Sequence, residues 1–329
     1  MHHLLYVIIP LYMWPLSAQS FPPAAGFPGS TAIHADSSVL VDWAIAAHIT
    51  RGYKNSAFPE NGFVDYGVDE NATGIPDGNE GVVSLGDDGY AVLSFNVPIV
   101  NGQGPDFAVF ENGFRQNDTT ELAFLELAFV DVSTDGVEYI RFPSISEIPV
   151  DTQTDTYENL NARLVHNLAG KYTMFYGTPF DLDDLEGLVA GTSVNLSEIN
   201  YIKITALTGS INDDFANYDS QGNKINDPYP TPFSSGGFDL DAVGVINNTL
   251  NSPFSGSDLC IIQNPVTNNL IFTTGFEKVD RTEIISLSGK LIGQLKSEYD
   301  NDVSFLDSGV YILKITGGSK SVSELFIKM

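Results

Sequence analysis

Cysteine, histidine and basic residues are scarce in this sequence of 329 residues, and each shortage excludes a class of structure or chemistry. The single cysteine, Cys260, rules out a disulfide within the chain, so a large core or a bound metal must stabilise the fold. The 15 Lys and Arg residues face 42 Asp and Glu residues, a balance that repels nucleic acid and anionic lipid. The five histidines match no zinc motif in their spacing: His2, His3, His34, His48 and His166.

Long apolar runs are also missing, which bears on membrane association. Residues 4–9 and 11–16 form two short apolar stretches, interrupted by Pro10 and Pro15 and followed by Ser17-Ala18-Gln19. A membrane anchor needs roughly 20 unbroken apolar residues, whereas an export signal has a shorter core that ends in small residues. We therefore predict a signal peptide over residues 1–18. The lack of a cysteine near its end argues against a lipoprotein anchor.

Familiar catalytic motifs are absent as well. The sequence has no His-Glu-x-x-His, no Gly-x-Ser-x-Gly and no phosphate-binding loop, so zinc and serine-hydrolase chemistry are poorly supported. A glycoside hydrolase needs two carboxylates that face one cleft, and the many acidic residues leave that alternative open. Glu111 and Glu126 are candidates for such a pair, although Glu126 is better explained as a structural carboxylate.

Short runs rich in Val, Ile, Phe and Tyr, separated by Gly and Pro, predict an all-β fold. One helix is predicted at Ser38–Thr50, where apolar residues recur at helical spacing. Thr134-Asp135-Gly136 predicts a hairpin turn. Many strands with long polar loops predict a jelly-roll-like β-sandwich. The strand candidates are residues 90–95, 107–110, 124–133, 138–142, 201–206 and 239–246.

Composition divides the chain into two domains. Residues 247–257 are small and polar and include a proline, as linkers do. They separate an acidic β-sandwich domain at residues 19–246 from a C-terminal domain at residues 258–329. Nine acidic and seven basic residues lie from residue 257 onward, which leaves 33 acidic and eight basic residues before it. The negative charge therefore belongs to the front domain, which should attract cations.

The C-terminal domain has a strand pattern of its own, which predicts a small immunoglobulin-like β-sandwich. Four of its segments carry a recognisable pattern in their order along the chain: Asn264-Pro265-Val266, residues 285–290, residues 306–315, and Phe326-Ile327-Lys328-Met329. In these segments it resembles the type A C-terminal sorting domain of the type IX secretion system of Bacteroidota. The resemblance implies the type IX secretion machinery as a partner. It also implies a protein that is secreted or displayed at the cell surface, outside the outer membrane.

Oxygen-bearing side chains predict a calcium site in the front domain. Asp106 precedes one strand candidate, and Glu111 and Asn112 follow it beside a glycine. Asp239 and Asp241 alternate on another strand and share a face with Val243 and Val245, so we expect the two carboxylates to point the same way. Ca²⁺ prefers six to eight such oxygens. We therefore predict Ca²⁺ as a cofactor bound by these five residues, although Glu111 and Asn112 are also explained as loop-stabilising groups.

A long acidic loop with aromatic residues predicts a ligand site. Asp213, Asp214 and Asp219 supply acceptors, and Tyr218 and Tyr229 supply rings, a combination used to bind sugars or corrin rings. The alternative is a loop held in place by its own aromatic residues. We predict the site from these five residues, with a small molecule or a glycan as the ligand.

The front domain also resembles, over residues 21–246, a family of bacterial cell-surface proteins. The resemblance implies surface exposure and nutrient capture, with an outer-membrane uptake receptor as a partner, because some members accompany vitamin B12 uptake. We expect a calcium-stabilised protein that binds a glycan or cobalamin. The alternatives are a glycoside hydrolase and an adhesive coat protein without a small ligand. The resemblance is carried by residues 23–26, 29–33, 83–87, 104–114, 124–130, 168–172, 176–182 and 236–244.

Overall fold

In the part of the chain that the structure describes, the protein folds as β-strands joined by loops and four short 3₁₀ turns. The computed structural model describes residues 21–78, 81–117, 119–250, 260–261, 265–273, 278–286, 290–295, 301–317 and 320–329. The predicted signal peptide, residues 1–18, lies outside the described residues, as does most of the predicted linker, residues 251–257. The 3₁₀ turns are Pro59–Asn61, Asp69–Ala72, Ala162–Leu164 and Leu182–Leu185. The predicted all-β class is confirmed.

Sixteen strands make up the described part of the front domain. The first eight are β1 (Ile33–His34), β2 (Asp42–Trp43), β3 (Ala46–Thr50), β4 (Val83–Ser84), β5 (Tyr90–Ile99), β6 (Phe107–Glu111), β7 (Phe114–Arg115) and β8 (Leu122–Phe124). The others are β9 (Ala128–Ser133), β10 (Ile140–Arg141), β11 (Ile145–Ser146), β12 (Leu160–Asn161), β13 (Val165–His166), β14 (Tyr176–Phe180), β15 (Ile199–Ala206) and β16 (Asp239–Val245). All six strand candidates in this domain contain observed strands.

Two antiparallel sheets face each other in the front domain. One has the order β1-β14-β6-β16-β2, with β4 also paired to β16, and the other has the order β10-β9-β15-β5-β3. Val109 and Val243 from the first sheet join Val130, Ile202 and Leu93 from the second in one fully buried core. Burying each such side chain stabilises the fold by about 1.5–3 kcal/mol.

Successive long strands of the front domain alternate between the two sheets. The chain passes from β5 to β6, from β6 to β9, and then through β14, β15 and β16, and it changes sheet at every step. Such alternation across a sandwich is the pattern of jelly rolls. The predicted jelly-roll-like β-sandwich is therefore confirmed.

The predicted helix at Ser38–Thr50 is wrong. This segment contains β2 and β3, and β3 pairs along its whole length with β5 at the edge of the second sheet. The helical spacing of Val39 and Trp43 was misleading, because Val39 is exposed while Ala47 packs on the core. The pairing with β5 supplied backbone hydrogen bonds that local spacing does not reveal.

The predicted turn at Thr134-Asp135-Gly136 joins β9 to β10, but in a longer loop than a two-residue hairpin. The register pairs Val132 with Ile140. The Asp135 carboxylate accepts hydrogen bonds from the amides of Val137 and Glu138 at 2.8 and 3.0 Å. This side chain replaces ladder hydrogen bonds and shapes the loop.

The described part of the C-terminal domain is also antiparallel β-structure. Its four-stranded sheet has the order β21-β20-β23-β24, and Leu313, Ile315 and Phe326 are fully buried in its core. The strands are β17 (Cys260–Ile261), β18 (Asn269–Leu270), β19 (Phe272–Thr273), β20 (Arg281–Ser286), β21 (Leu291–Leu295), β22 (Asn301–Asp302), β23 (Gly309–Gly317) and β24 (Lys320–Lys328). Within the part of the chain that the structure describes, no helix is long and apolar enough to cross a membrane.

Candidate functional site

A cleft opens where β6 ends and β16 begins, and we call it the aromatic cleft. Its volume is about 400 Å³, within the range of small-molecule sites. The small sheet β12-β8-β7 forms one side, and the loops before β12 and β16 form the other. The lining residues are Asn112, Phe114, Phe124, Glu126, Thr156, Tyr157, Thr231, Phe233, Ser235, Gly236 and Asp239.

Alternation in the segment that follows β8 decides which side chains reach the cleft. Leu125 and Leu127 are buried in a second apolar core, whereas Phe124 and Glu126 line the cleft. A period of two residues in extended chain produces this division. The same segment therefore supplies both a structural anchor and two groups of the site.

Gly113 is required for the close packing behind the cleft. A Cβ atom at this position would lie 2.7 Å from the Phe124 carbonyl oxygen and 2.8 Å from Oε2 of Glu111. The Gly113 amide donates to that same Oε2 at 2.7 Å. Only a residue without a side chain allows β7 to approach β8 here while the Glu111 carboxyl stays in place.

Four aromatic rings form a continuous row along the cleft. Phe114 stacks on Phe124 with ring centroids 5.1 Å apart, Phe124 lies 6.5 Å from Tyr157, and Tyr157 stacks on Phe233 at 6.0 Å. Tyr157 is 70% exposed, Phe114 55% and Phe233 41%. Exposed rings that are already aligned offer apolar faces to a ligand at little entropic cost.

The floor of the cleft carries two carboxyl groups. Asn112 donates from Nδ2 to Oδ2 of Asp239 at 3.2 Å, and the Ser84 hydroxyl donates to Oδ1 of the same residue. Asp239 is 7% exposed and Glu126 is 5% exposed. Burial raises the pKa of Asp239 to about 6 against the hydrogen bonds from Ser84 and Asn112. At neutral pH this carboxyl group is therefore mostly ionised.

Glu126 holds its proton more tightly than Asp239. Burial raises its pKa well above the usual range, and the charges of Asp239, Glu111 and Asp227 raise it further. A hydrogen bond from the Gly237 backbone amide acts in the opposite direction but is outweighed. Both pKa values are raised, and the additional repulsion from neighbouring carboxylates makes Glu126 the harder of the two floor carboxyls to ionise.

Two more carboxyl groups lie buried behind the floor. Oε1 of Glu111 has no hydrogen-bond partner although the residue is 1% exposed, and burial followed by the charge of Asp239 raises its pKa well above normal. Asp227 accepts from the Leu127 amide at 2.9 Å through Oδ2, while its Oδ1 has no partner. Burial raises the pKa of Asp227 to about 8. Unpartnered buried oxygens are costly, and a buried carboxyl group lowers that cost by keeping its proton.

Arg51 is the cation whose charge favours ionisation of Asp239, but its guanidinium is held by backbone. Its Nη1 donates to the carbonyls of Tyr66 and Ser84, both at 2.6 Å, and its Nη2 donates to that of Gly67 at 2.7 Å. Burial lowers its pKa. Arg51 therefore offsets part of the negative charge near Asp239 without occupying the cleft.

The five predicted metal ligands divide into two groups. Glu111, Asn112 and Asp239 lie at or behind the floor of the aromatic cleft, whereas Asp106 and Asp241 are each committed elsewhere. Asp106 accepts from the amides of Gly102 and Leu182, at 2.7 and 2.8 Å, and from Asn247. Across the described residues, no group of three or more His, Cys, Asp or Glu side chains is arranged to hold a metal ion. Calcium binding stays a prediction.

A β-bulge separates Asp241 from the predicted ligands at the floor of the aromatic cleft. The pairing of β16 with β6 shifts between Leu240 and Ala242, so Asp241 is the extra residue. Leu240 and Val243 both face the core, which regular alternation does not allow, and Asp239 lines the cleft instead of sharing a face with Val243. Asp241 instead accepts from the amides of Asp77 and Gly78 at 3.2 and 3.0 Å.

The structure brings two of the predicted acidic-loop ligands, Asp213 and Tyr218, into side-chain hydrogen-bond contact, but it does not gather all five at one cleft. Asp213 is exposed and pairs with Lys224 at 2.6 Å, and Asp214 and Tyr218 are exposed as well. Asp219 is buried and accepts from the amides of Gln221, Asn223 and Ser146, which makes it a loop-stabilising group. These four residues line neither the aromatic cleft nor the groove that Tyr229 lines. Whether a ligand binds them stays a prediction.

Tyr229 lines a second groove, of about 470 Å³, on the front domain. Its hydroxyl donates to Oδ1 of Asn55 at 3.0 Å, and Phe58 and Phe215 also line this groove. No carboxylate lines it among the described residues. It therefore differs from the aromatic cleft in its chemistry.

Sequence reasoning did not assemble the aromatic cleft. Phe124 and Tyr157 come from separate segments, and no spacing rule connects them to Phe233. The one available signal was the pair Phe124 and Glu126, which alternate with leucines in an otherwise buried stretch. That pattern indicates a polar face only after the other side has been assigned to the core.

The C-terminal domain is identified by comparison. Residues 262–329 match the family model of the secretion system C-terminal sorting domain. This protein carries a type IX secretion sorting domain. The sorting domain marks the chain as cargo of the Bacteroidota type IX secretion machinery, and the protein is therefore secreted or displayed at the cell surface. Its strands β20, β23 and β24 form the fold already described.

Comparisons for the rest of the chain are less informative. A search of curated proteins found no match. The chain is similar to a β-glucuronidase from Ruminococcus gnavus in complex with a substituted uronic isofagomine, at 11% identity and a TM-score of 0.24, over 73% of this chain and 36% of that one. A second complex of that enzyme gives a TM-score of 0.29 over 88% and 47% of the two chains. The chain thus spans less than half of these enzymes.

Proposed function

We propose that the front domain is an exported binding module whose small-molecule ligand occupies the aromatic cleft. The sorting domain places the protein outside the cell, where capture of a nutrient precedes its uptake. The observation that carries the proposal is the row of exposed rings above a floor of buried carboxyl groups. Such a row exposes apolar ring surface to water, which is unfavourable, and a bound ligand would cover that surface.

The chemistry of the cleft limits the ligand. Flat apolar faces pack on the rings, and donor groups such as hydroxyls or amines meet the acceptors Asp239 and Glu126. A glycan satisfies both demands, and cobalamin offers a large flat face with amide donors. An outer-membrane uptake receptor would then accept the captured ligand.

The test is a calorimetric screen of glycans and cobalamin against the whole protein. We expect saturable binding to the native chain, weakened about fivefold or more by Tyr157→Ala, because stacking on an exposed ring contributes on the order of 1 kcal/mol. The matched control is Phe58→Ala, which removes an exposed ring from the second groove. Equal weakening by both changes would contradict binding in the aromatic cleft, and no binding at all would favour an adhesive coat protein.

A glycoside hydrolase is the second candidate function, and one observation favours it. Glu126 and Asp239 line one cleft, and burial raises the pKa of Glu126 well above its usual range and that of Asp239 to about 6, a difference that suits an acid and a base or nucleophile. The expected result is hydrolysis of a glycan that Glu126→Gln abolishes while binding persists. Binding without turnover by the native protein would reject catalysis and leave the binding module in place.

A further inference from the structure

The walls and the floor of the aromatic cleft present the same electrostatic sign to a ligand. Aromatic faces are negative because of the ring quadrupole, and the floor contains the carboxyl groups of Glu126 and Asp239. None of the described lining residues is Lys or Arg. The described lining therefore offers no cationic side chain to an anionic ligand, whereas its rings and its carboxyl groups attract a cation.

We infer that the ligand group reaching the floor of the cleft is a positively charged ammonium, held between the rings of Tyr157 and Phe233 and the carboxyls of Glu126 and Asp239. This inference rests on the proposed function and narrows its ligand to organic cations, such as amino sugars or quaternary amines. Aromatic rings beside carboxylates are the usual means of binding such groups.

The buried oxygen behind the floor supports this assignment independently. Oε1 of Glu111 is buried and has no hydrogen-bond partner, and Glu111 lies close enough to Asp239 for their charges to interact. The four carboxyl groups, Glu111, Glu126, Asp227 and Asp239, interact unfavourably whenever more than one of them is ionised. A cation in the cleft relieves this repulsion, so its binding should release protons.

A hard metal ion explains the same charge less well. It would be bound by the floor alone, because rings are not ligands for Ca²⁺. The described residues offer no group of three or more Asp, Glu, His or Cys side chains arranged to hold a metal. The exposed row of rings from Phe114 to Phe233 would then have no role in binding. An organic cation, in contrast, contacts both the rings and the carboxyl groups of the floor.

Calorimetry with matched pairs of compounds tests the inference. Choline is compared with its neutral isostere, in which carbon replaces the ammonium nitrogen, and glucosamine is compared with glucose. We expect each cation to bind at least about tenfold more tightly than its neutral partner. Titration in buffers of different ionisation enthalpy should show net proton release on binding.

Variants separate ring chemistry from shape. Tyr157→Phe keeps an aromatic face and should retain binding, whereas Tyr157→Leu should weaken the cations about tenfold and leave any neutral binding little changed. Phe58→Leu, in the second groove, is the control and should change nothing. Tyr157 is 70% exposed, so these changes should not disturb folding.

Three results would overturn the inference. If neutral partners bind as tightly as the cations, the cleft binds ligands without reading their charge, and the proposed function survives. If Ca²⁺ binds the protein and competes with choline, the floor is a metal site. The same conclusion follows if Ca²⁺ binds while neither choline nor glucosamine does. Should neither cation bind but a glycan or cobalamin bind in the cleft, the ammonium assignment fails alone.

Discussion

Asn112 donates a hydrogen bond from Nδ2 to Oδ2 of Asp239 at 3.2 Å, which joins the residue after β6 to the first residue of β16. The two strands are paired neighbours in the first sheet, so this contact fixes the floor of the cleft to the most buried part of the fold. The carboxyl group of Asp239 is thereby oriented before any ligand arrives.

Replacing that donor with an acid should destabilise the domain. Asn112→Asp places a carboxylate against Asp239 and near Glu111, and it removes the hydrogen bond. We expect a loss of about 1–3 kcal/mol in the free energy of unfolding, measured by denaturant titration at pH 7. Asn212→Asp, at an exposed position, is the control and should change little. Equal stability of the two variants would show that the Asn112 contact is not significant.

The stability of the front domain should rise as the pH falls from 7 toward 5. Burial raises the pKa of Asp227 to about 8 and those of Asp87 and Asp106 to about 6, so the folded state binds protons that the unfolded state, with pKa values near 3.8, has released. Stability is therefore lost as the pH rises through this window. Each such proton contributes at most about 1.4 kcal/mol per pH unit. Scanning calorimetry at several pH values measures the effect.

Asp227→Asn isolates one of these groups. The substituted side chain keeps an acceptor for the Leu127 amide and cannot ionise. Its melting temperature should exceed that of the native protein at pH 8 and approach it at pH 5. Lys171, whose pKa burial lowers to about 7, acts in the opposite sense only above that pH. A variant that is less stable at every pH would contradict this account of Asp227.

Gly113 should tolerate no side chain. Gly113→Ala places a Cβ atom 2.7 Å from a backbone oxygen and 2.8 Å from the Glu111 carboxyl, so a loss of about 1–3 kcal/mol is expected, together with weaker ligand binding. Gly187→Ala meets nothing within 4 Å and is the matched control. Thermal melting and calorimetric titration of both proteins provide the measurement. An unchanged Gly113→Ala protein would mean that β7 and β8 separate easily.

Calcium offers a further test, centred on Asp241. Its carboxylate accepts two backbone amides, so Asp241→Asn should alter stability by the same amount with calcium or with EDTA. Melting curves in both conditions measure this. A calcium-dependent difference would instead place Asp241 in a metal site.

Strand locations were the most predictable part of the fold. The candidates at residues 90–95 and 201–206 coincide with parts of β5 and β15, because alternation and β-branched residues there reflect real burial. The segment at residues 38–50 failed because β3 is specified by its pairing with β5, which local spacing does not contain. Likewise, no sequence pattern in β16 predicts the bulge at Asp241, after which the side chains of the strand exchange faces.

The site was predicted in part. Glu111, Asn112 and Asp239 were chosen as oxygen donors and do meet at one place, since each flanks a central strand. The aromatic residues were not grouped, because Phe114, Phe124, Tyr157 and Phe233 come from segments that only the tertiary fold brings together. Pairwise proximity of distant loops lies beyond what composition and periodicity can reveal.

The hydroxyl of Thr156 donates to the carbonyl of Pro230 at 2.8 Å, so the loop that carries Tyr157 is tied to the loop that carries Phe233. The carboxyl groups at the base of the pocket belong to the β-sandwich, while Tyr157 and Phe233 lie on these two linked surface loops. Replacing both loops together should therefore change the ligand specificity while the β-sandwich stays the same.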